Sequence, residues 1–367
     1  MPPSFDCTGR NVYNEGARPR NRAPWTRMAG MAGPAYPKAR RARHGRSRCC
    51  YAWAMKVRWP RTRLPVSRLL LAASAGTLAG AAAGCQSDAP SIEWNDAVVE
   101  EIEAWRAEHE DSYRRNWVPI EGLHFLEPGA QTAGSAPDND VILIASLPEH
   151  LGRFTAGSAE VTFEPEPGAP ITLNGETPPA STVLRDDGTE EPDVIEANGA
   201  TVVVHRSGTR LSLRVRDPNG ERARTFRGFD WFPISEGYRV LGRFVRDPTP
   251  RTMPVVNTFG DVDTYETEGV IEFALNGEEL RLRPFTTDSG RFYIVFNDAS
   301  SGEETYEAAR FLYADLRDDG TTILDFNQAY NPPCAFNPFT TCPIPLPENR
   351  LPIKVLAGEK KYRGPAP

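Results

Sequence analysis

The residues best equipped for chemistry gather near the C-terminus. The stretch "IVFNDASSGEETYEAARFLYAD" sets Asp298, Glu304, Tyr306 and Arg310 between two apolar runs. Next, "TILDFNQAYNPPC" places Asp325, Asn327, Tyr330 and Asn331 directly after a strand-like run, and "PENRLPIKVLAGEK" adds Glu348, Asn349, Arg350 and Glu359. Alternation from Leu324 sets Asp325 and Asn327 on one side if the strand continues that far. In a glycan-directed hydrolase, Glu304 or Asp325 would act with Glu348 as an acid/base pair, and Tyr306 and Tyr330 would stack on sugar rings. In a binding module, Asp325, Asn327, Asn331 and Glu348 would orient a ligand, or hold a hard cation, without turnover. The ligand-contacting set is then Tyr306, Arg310, Asn327, Tyr330, Asn331 and Asn349. The architectural alternative is that these side chains satisfy backbone groups in a proline-stiffened loop, with Arg310 or Arg350 paired to a carboxylate.

Other chemistries lack their signatures. There is no P-loop, dinucleotide fingerprint, HExxH or Gly-x-Ser-x-Gly. His109, His124, His150 and His205 are scattered, so a histidine-based metal or acid/base centre is not expected. Asp325, Asn327, Asn331 and Glu348 match no standard calcium-loop spacing, so neither a metal nor a cofactor is predicted.

Charge divides the chain. Up to Cys85 there are 16 Lys and Arg against two acids, and the remainder holds 26 cations and 47 anions, a formal charge of −21. Such an acidic body argues against nucleic acid as a partner, because phosphate recognition needs a basic footprint. The basic end contains "MKVRWPRTRLPVSR" and then an apolar run from Leu69 to Ala83, too short for a bilayer span and closed by small residues. That pattern predicts a signal peptide over 55–84, starting at Met55, with 1–54 an upstream extension from a mis-assigned start codon. The ending Ala82-Ala83-Gly84-Cys85 resembles the bacterial lipobox, which implies a lipid anchor on Cys85 and an exported, membrane-attached protein facing the periplasm or the outside. Of six cysteines, Cys334 and Cys342 then remain, eight positions apart. In an oxidising compartment they predict one disulfide, whereas zinc would need closer pairs or nearby histidines.

After a polar tether at 85–92, Trp94, Val98, Ile102 and Trp105 fall on one stripe and predict an amphipathic helix over 93–116, with Ser91 as a candidate N-cap. From 117 to 367 the texture is that of one β-rich domain. Runs such as "ATVVVHRSGTRLSLRVRDP" and "GVIEFALNGEELRLRPF" are rich in Val, Ile, Phe and Thr and broken by turn residues. Asn276-Gly277 predicts a type I′ hairpin and Ser207-Gly208 another. Leu211, Leu213 and Val215 alternate with Ser212, Arg214 and Arg216, which predicts one buried and one solvated face. Hairpins without intervening helices, together with 34 prolines, indicate a mainly β fold: an antiparallel sandwich or barrel with one N-terminal helix.

The pieces "FNDASSGEETYEAARFLYAD", "LDFNQAYNPPCAF" and "CPIPLPENRLPIKVLAGEK", with "GLHFLEPGAQTAGSAPDNDVIL" upstream, closely resemble the prokaryotic domain-of-unknown-function family 1684. The resemblance runs from about Trp94 and implies no established activity. The resulting expectation is an envelope lipoprotein that binds a small molecule or glycan, with the carboxylate-dependent hydrolase as the alternative.

Overall fold

Short β-branched and aromatic runs gain stability when the sheets they form stack on one another. In the computed structural model, which describes residues 92–287 and 289–365, this stacking occurs twice. The N-terminal part contains β1 (Ile120–Phe125), β2 (Gly129–Gly134), β3 (Val141–Ile142), β4 (Gly152–Ala156), β5 (Val161–Pro165), β6 (Thr172–Leu173), β7 (Thr182–Leu184), β8 (Ile195–Ala197), β9 (Ala200–Ser207) and β10 (Arg210–Arg216). They form two sheets, ordered β1-β10-β9-β8-β6 and β3-β2-β4-β5-β7. Their apolar residues, among them Phe154, Phe163, Ile195, Val202 and Leu213, make one core.

The C-terminal part contains β11 (Arg239–Val256), β12 (Val262–Leu275), β13 (Glu278–Leu282), β14 (Phe285–Thr286), β15 (Phe292–Phe296), β16 (Arg310–Ala314) and β17 (Thr321–Asp325). Sheets ordered β13-β12-β11-β17 and β14-β15-β16 share a second core built on Phe244, Ile271, Phe273, Ile294 and Leu312. All strand pairs in these sheets are antiparallel except β2 with β3. The sheets stay open, so the architecture is of the sandwich kind, with no closed barrel among the described residues.

Helix α1 spans Asp96–Asn116 and starts three residues later than its apolar spacing suggests. Asn95 is the N-cap, its side-chain oxygen accepting the Val98 N–H at 3.1 Å. Trp94 lies ahead of the helix, and Ser91 lies outside the described residues, as do Cys85 and the whole predicted signal segment. The buried stripe is Val98, Ile102, His109 and Tyr113. Docking is fixed by Arg106, which donates to the Asn327 carbonyl at 2.9 Å and the Phe232 carbonyl at 3.0 Å.

Turn chemistry sets the registers. Asn276 (φ 54°) and Gly277 (φ 83°) join β12 to β13 in the left-handed conformations of a type I′ turn. The β9–β10 turn has Gly208 at φ 56° in its first central position, with Ser207 paired to Arg210. Asn198-Gly199, between β8 and β9, is a third such turn that the sequence reading passed over.

The expected solvated face of β10 is not solvated. Ser212 and Arg214 are buried along with Leu211, Leu213 and Val215, because the C-terminal loop packs over the face that does not meet the partner sheet. Asn337 of that loop donates to the Trp117 and Ile120 carbonyls at 3.0 and 2.8 Å, and Thr341 contacts His205 on β9.

Cys334 and Cys342 are bonded, with Cα atoms 6.4 Å apart, and close the loop that carries Asn337. Opening it frees an eight-residue separation in the unfolded chain, so Cys334→Ser with Cys342→Ser is expected to cost roughly 2 to 3 kcal/mol. A urea midpoint unchanged from that of the oxidised protein would show that the bond adds no stability.

Candidate functional site

The polar C-terminal residues are built upward from the ends of β15, β16 and β17. At the end of β17, Asp325 lies opposite Arg239 of β11, and its Oδ2 accepts from the guanidinium at 2.5 Å. Its Oδ1 accepts from the Asn327 N–H and amide at 3.1 and 2.9 Å, capping the turn Phe326–Gln328. Asn327 also donates to the Ser235 carbonyl and accepts the Ser235 N–H, both at 2.9 Å, as a paired strand would.

Asn349 repeats this device. It donates to the carbonyls of Arg283 and Val295 at 2.9 Å and accepts the Arg283 N–H at 2.8 Å. Asn331 donates through its backbone N–H and its amide to Glu359 at 2.8 and 2.7 Å, and to the Lys360 carbonyl at 2.8 Å. Arg310, fully buried at the start of β16, donates to Asp298 at 2.9 Å, to the Val355 carbonyl at 2.9 Å and to the Ala357 carbonyl. The other Asp298 oxygen accepts from Ser300 and from the Val355 N–H. Tyr306 donates to the Cys334 carbonyl at 3.3 Å, and burial pushes its phenol up to about 12. Tyr330 lies in an aromatic group with Trp105, His109, Tyr113 and Phe311.

The three carboxylates expected to do acid/base work are not assembled into a pair. Glu304 pairs with Lys354 at 2.8 Å, Asp325 with Arg239, and Glu348 with Arg283 at 2.6 Å. Each is thus neutralised by a different cation, and Asp325 is buried with both oxygens bonded. Of the residues proposed as ligand contacts, Tyr306, Arg310, Asn327, Asn331 and Asn349 bond backbone carbonyls, as in the architectural alternative, and Tyr330 packs among aromatic rings. Arg310, not the exposed Arg350, is the guanidinium in the buried pair. Among the described residues no group of three His, Cys, Asp or Glu is placed to hold a metal ion.

Glu359 was named without a role, and one grouping was missed. Burial pushes the Glu359 carboxyl up to about 8 against the hydrogen bonds from Asn331. Histidine, set aside for its scatter, forms a bonded centre: His205 Nδ1 lies 2.9 and 3.0 Å from the two oxygens of Asp187, and its Nε2 lies 3.0 Å from Thr341 Oγ1. Nothing local marks this grouping, since the three residues come from the β7–β8 loop, β9 and the disulfide loop. The one usable signal was the phase of β9, where His205 falls opposite Val202 and Val204.

Fold and site together describe a stacked-sheet protein with a side-chain-bonded C-terminal cap. Residues 224–360 match the family described as "Protein of unknown function (DUF1684)". A solution NMR structure of an uncharacterized protein of Haloarcula marismortui is 30% identical over 39% of this chain and 82% of that one, with a TM-score of 0.33. The chain belongs to this DUF1684 family. The matched segment takes in the C-terminal cap and Thr341, whereas Asp187, His205 and the upstream "GLHFLEPGAQTAGSAPDNDVIL" precede it. No curated protein matches the chain.

Removing Arg310 leaves Asp298 short of its charged partner and two buried carbonyls without donors. Arg310→Met is expected to cost about 3 to 5 kcal/mol, read as a lowered urea midpoint; an unchanged midpoint would refute the anchoring role. Glu359 gives a pH signature. Its folded value lies above the ordinary 4.5. The stability contributed by its neutral form is therefore complete below about 4.5 and is lost as the pH rises toward about 8. Over that window the Tm of the wild type is expected to fall relative to that of Glu359→Gln. Parallel curves would exclude Glu359 as the source.

Proposed function

We propose that this is an exported cell-envelope lipoprotein, tethered to a membrane surface by a lipid on Cys85 and displaying its β-rich part as a binding module. The observation that carries this reading is the Cys334–Cys342 bond, because structural disulfides persist in oxidising compartments and are rare in the cytosol. The apolar run Leu69–Ala83 ending in Gly84-Cys85 supports it from the sequence. Among the described residues no helix is long and apolar enough to cross a membrane.

In this reading the module holds a glycan or small molecule without turnover, and Glu304, Asp325 and Glu348 do no acid/base work on it. Their separate pairing with Lys354, Arg239 and Arg283 supports that assignment. Acidity after Cys85 speaks against nucleic acid as the ligand.

In bacteria producing the full chain, mass spectrometry is expected to find a mature N-terminus at Cys85 carrying a diacylglyceryl group, with Cys334 and Cys342 oxidised. Cys85→Ser is expected to move the protein out of the membrane fraction. A mature N-terminus upstream of Cys85, or reduced cysteines in a cytosolic pool, would overturn the proposal.

A further inference from the structure

We propose that Asp187, His205 and Thr341 form a carboxylate–imidazole–hydroxyl relay that makes Thr341 Oγ1 a nucleophile toward carboxylic esters with apolar acyl groups.

The geometry has the three contacts that such a relay needs. A carboxylate lies within 3.0 Å of Nδ1, the opposite ring nitrogen lies 3.0 Å from a hydroxyl, and the imidazole bridges them. With both carboxylate oxygens on Nδ1, that nitrogen carries the proton, and Nε2 is left to accept from Thr341. The site is shielded: His205 is 2% and Thr341 3% exposed, and the Asp187 side chain is 9% exposed.

The charge states agree with that assignment. Burial pushes the Asp187 carboxyl up, but His205 and Arg214, the latter at 2.6 Å, together pull it well below the usual carboxylate range. Burial and then the Arg214 charge push the His205 imidazole below its ordinary range, against the pull of Asp187, which favours the neutral ring that can take a proton. His109 is the contrasting case. Its ring packs among Trp105, Tyr113 and Tyr330, burial pushes it down to about 3, and its Nε2 has no hydrogen-bond partner.

A second observation indicates the substrate. The tip between β11 and β12 lies along Thr340–Cys342, with the Thr258 N–H donating to the Cys342 carbonyl at 2.9 Å and its hydroxyl to the Thr340 carbonyl at 3.3 Å. On this tip Val256, Phe259 and Val262 are 46%, 40% and 50% exposed, three of the few large apolar side chains left on the described surface. An apolar acyl chain would cover them with its carbonyl directed toward Thr341.

In the reaction, Thr341 Oγ1 attacks the ester carbonyl carbon and its proton passes to His205 Nε2. The carbon–oxygen bond to the alcohol breaks, and the departing oxygen takes that proton. Water then attacks the threonyl ester, gives its proton to Nε2, and the carboxylic acid leaves as Thr341 Oγ1 recovers the proton. Ester and water thus give acid and alcohol, with no other reactant.

The test uses the full chain in detergent, with p-nitrophenyl butyrate and p-nitrophenyl acetate as substrates and a fluorophosphonate as the covalent probe. Butyrate hydrolysis is expected to exceed acetate hydrolysis, with phosphonylation located by mass spectrometry at Thr341. The isosteric Thr341→Val is expected to lose both, and His205→Gln to lower kcat by about 100-fold or more. Thr341→Ser keeps the hydroxyl and is expected to retain labelling, which guards against a fold lost in the valine variant. Phe259→Ser is expected to raise KM for the butyrate with little change in kcat. Absence of label at residue 341 in both wild type and Thr341→Ser would overturn the proposal, as would a folded Thr341→Val that hydrolyses at the wild-type rate.

Discussion

The C-terminal cap is held by the fully buried guanidinium of Arg310. Arg310 opens β16, and its donors reach forward in the sequence to the Val355 and Ala357 carbonyls, while Asp298 neutralises it. A desolvated pair of this kind is stable only when the remaining donors and acceptors are also bonded. Asp298 meets that condition by accepting from Ser300 and Val355 as well. The pair thereby fixes the irregular chain 351–359 against the sheet edge. There Leu351 donates to the Asn297 carbonyl and Ala299 to that of Ile353. Gly358 lets this chain approach: with φ 75°, a Cβ there would sit 2.2 Å from the Ala329 carbonyl oxygen.

Proline explains why side chains take up so much of the bonding. Each proline between 332 and 352 removes a backbone donor, so this stretch cannot form a continuous ladder and its neighbours are left with unmatched groups. Asn327, Asn331, Asn337 and Asn349 supply what is missing, since a primary amide presents a donor and an acceptor much as a peptide unit does. The cap is therefore a sheet surrogate whose rungs are asparagine side chains. Its rigidity comes from those bonds together with the Cys334–Cys342 link.

This clarifies how much the sequence could disclose. Hairpins at Asn276-Gly277 and at Gly208 were legible because positive φ restricts the residue type locally. The helix was legible from its stripe, but its start was not, since Ser91 and Asn95 are both good caps and only the bonded geometry selects Asn95. The polar motif could be located but not interpreted. Asp325 next to Asn327 reads equally well as a ligand set or a turn cap, and the decision rests with Arg239, 86 residues away. Burial on both faces of β10 was illegible for the same reason, as its cover arrives from residues 337–341.

That second buried face gives His205 its setting. A strand enclosed on one side only would let Ser212, Arg214 and His205 point into water, where none needs a fixed partner. Enclosure on both sides obliges each to be bonded, and the bonds run between distant segments: Asp187 from a loop of the first sandwich, Thr341 from the cap. Asp187 serves both Arg214 and His205, so the imidazole is oriented by a carboxylate whose charge a second cation already holds in place. An oriented neutral imidazole facing a hydroxyl thus follows from covering β9 and β10 with a loop that contributes its own polar side chains.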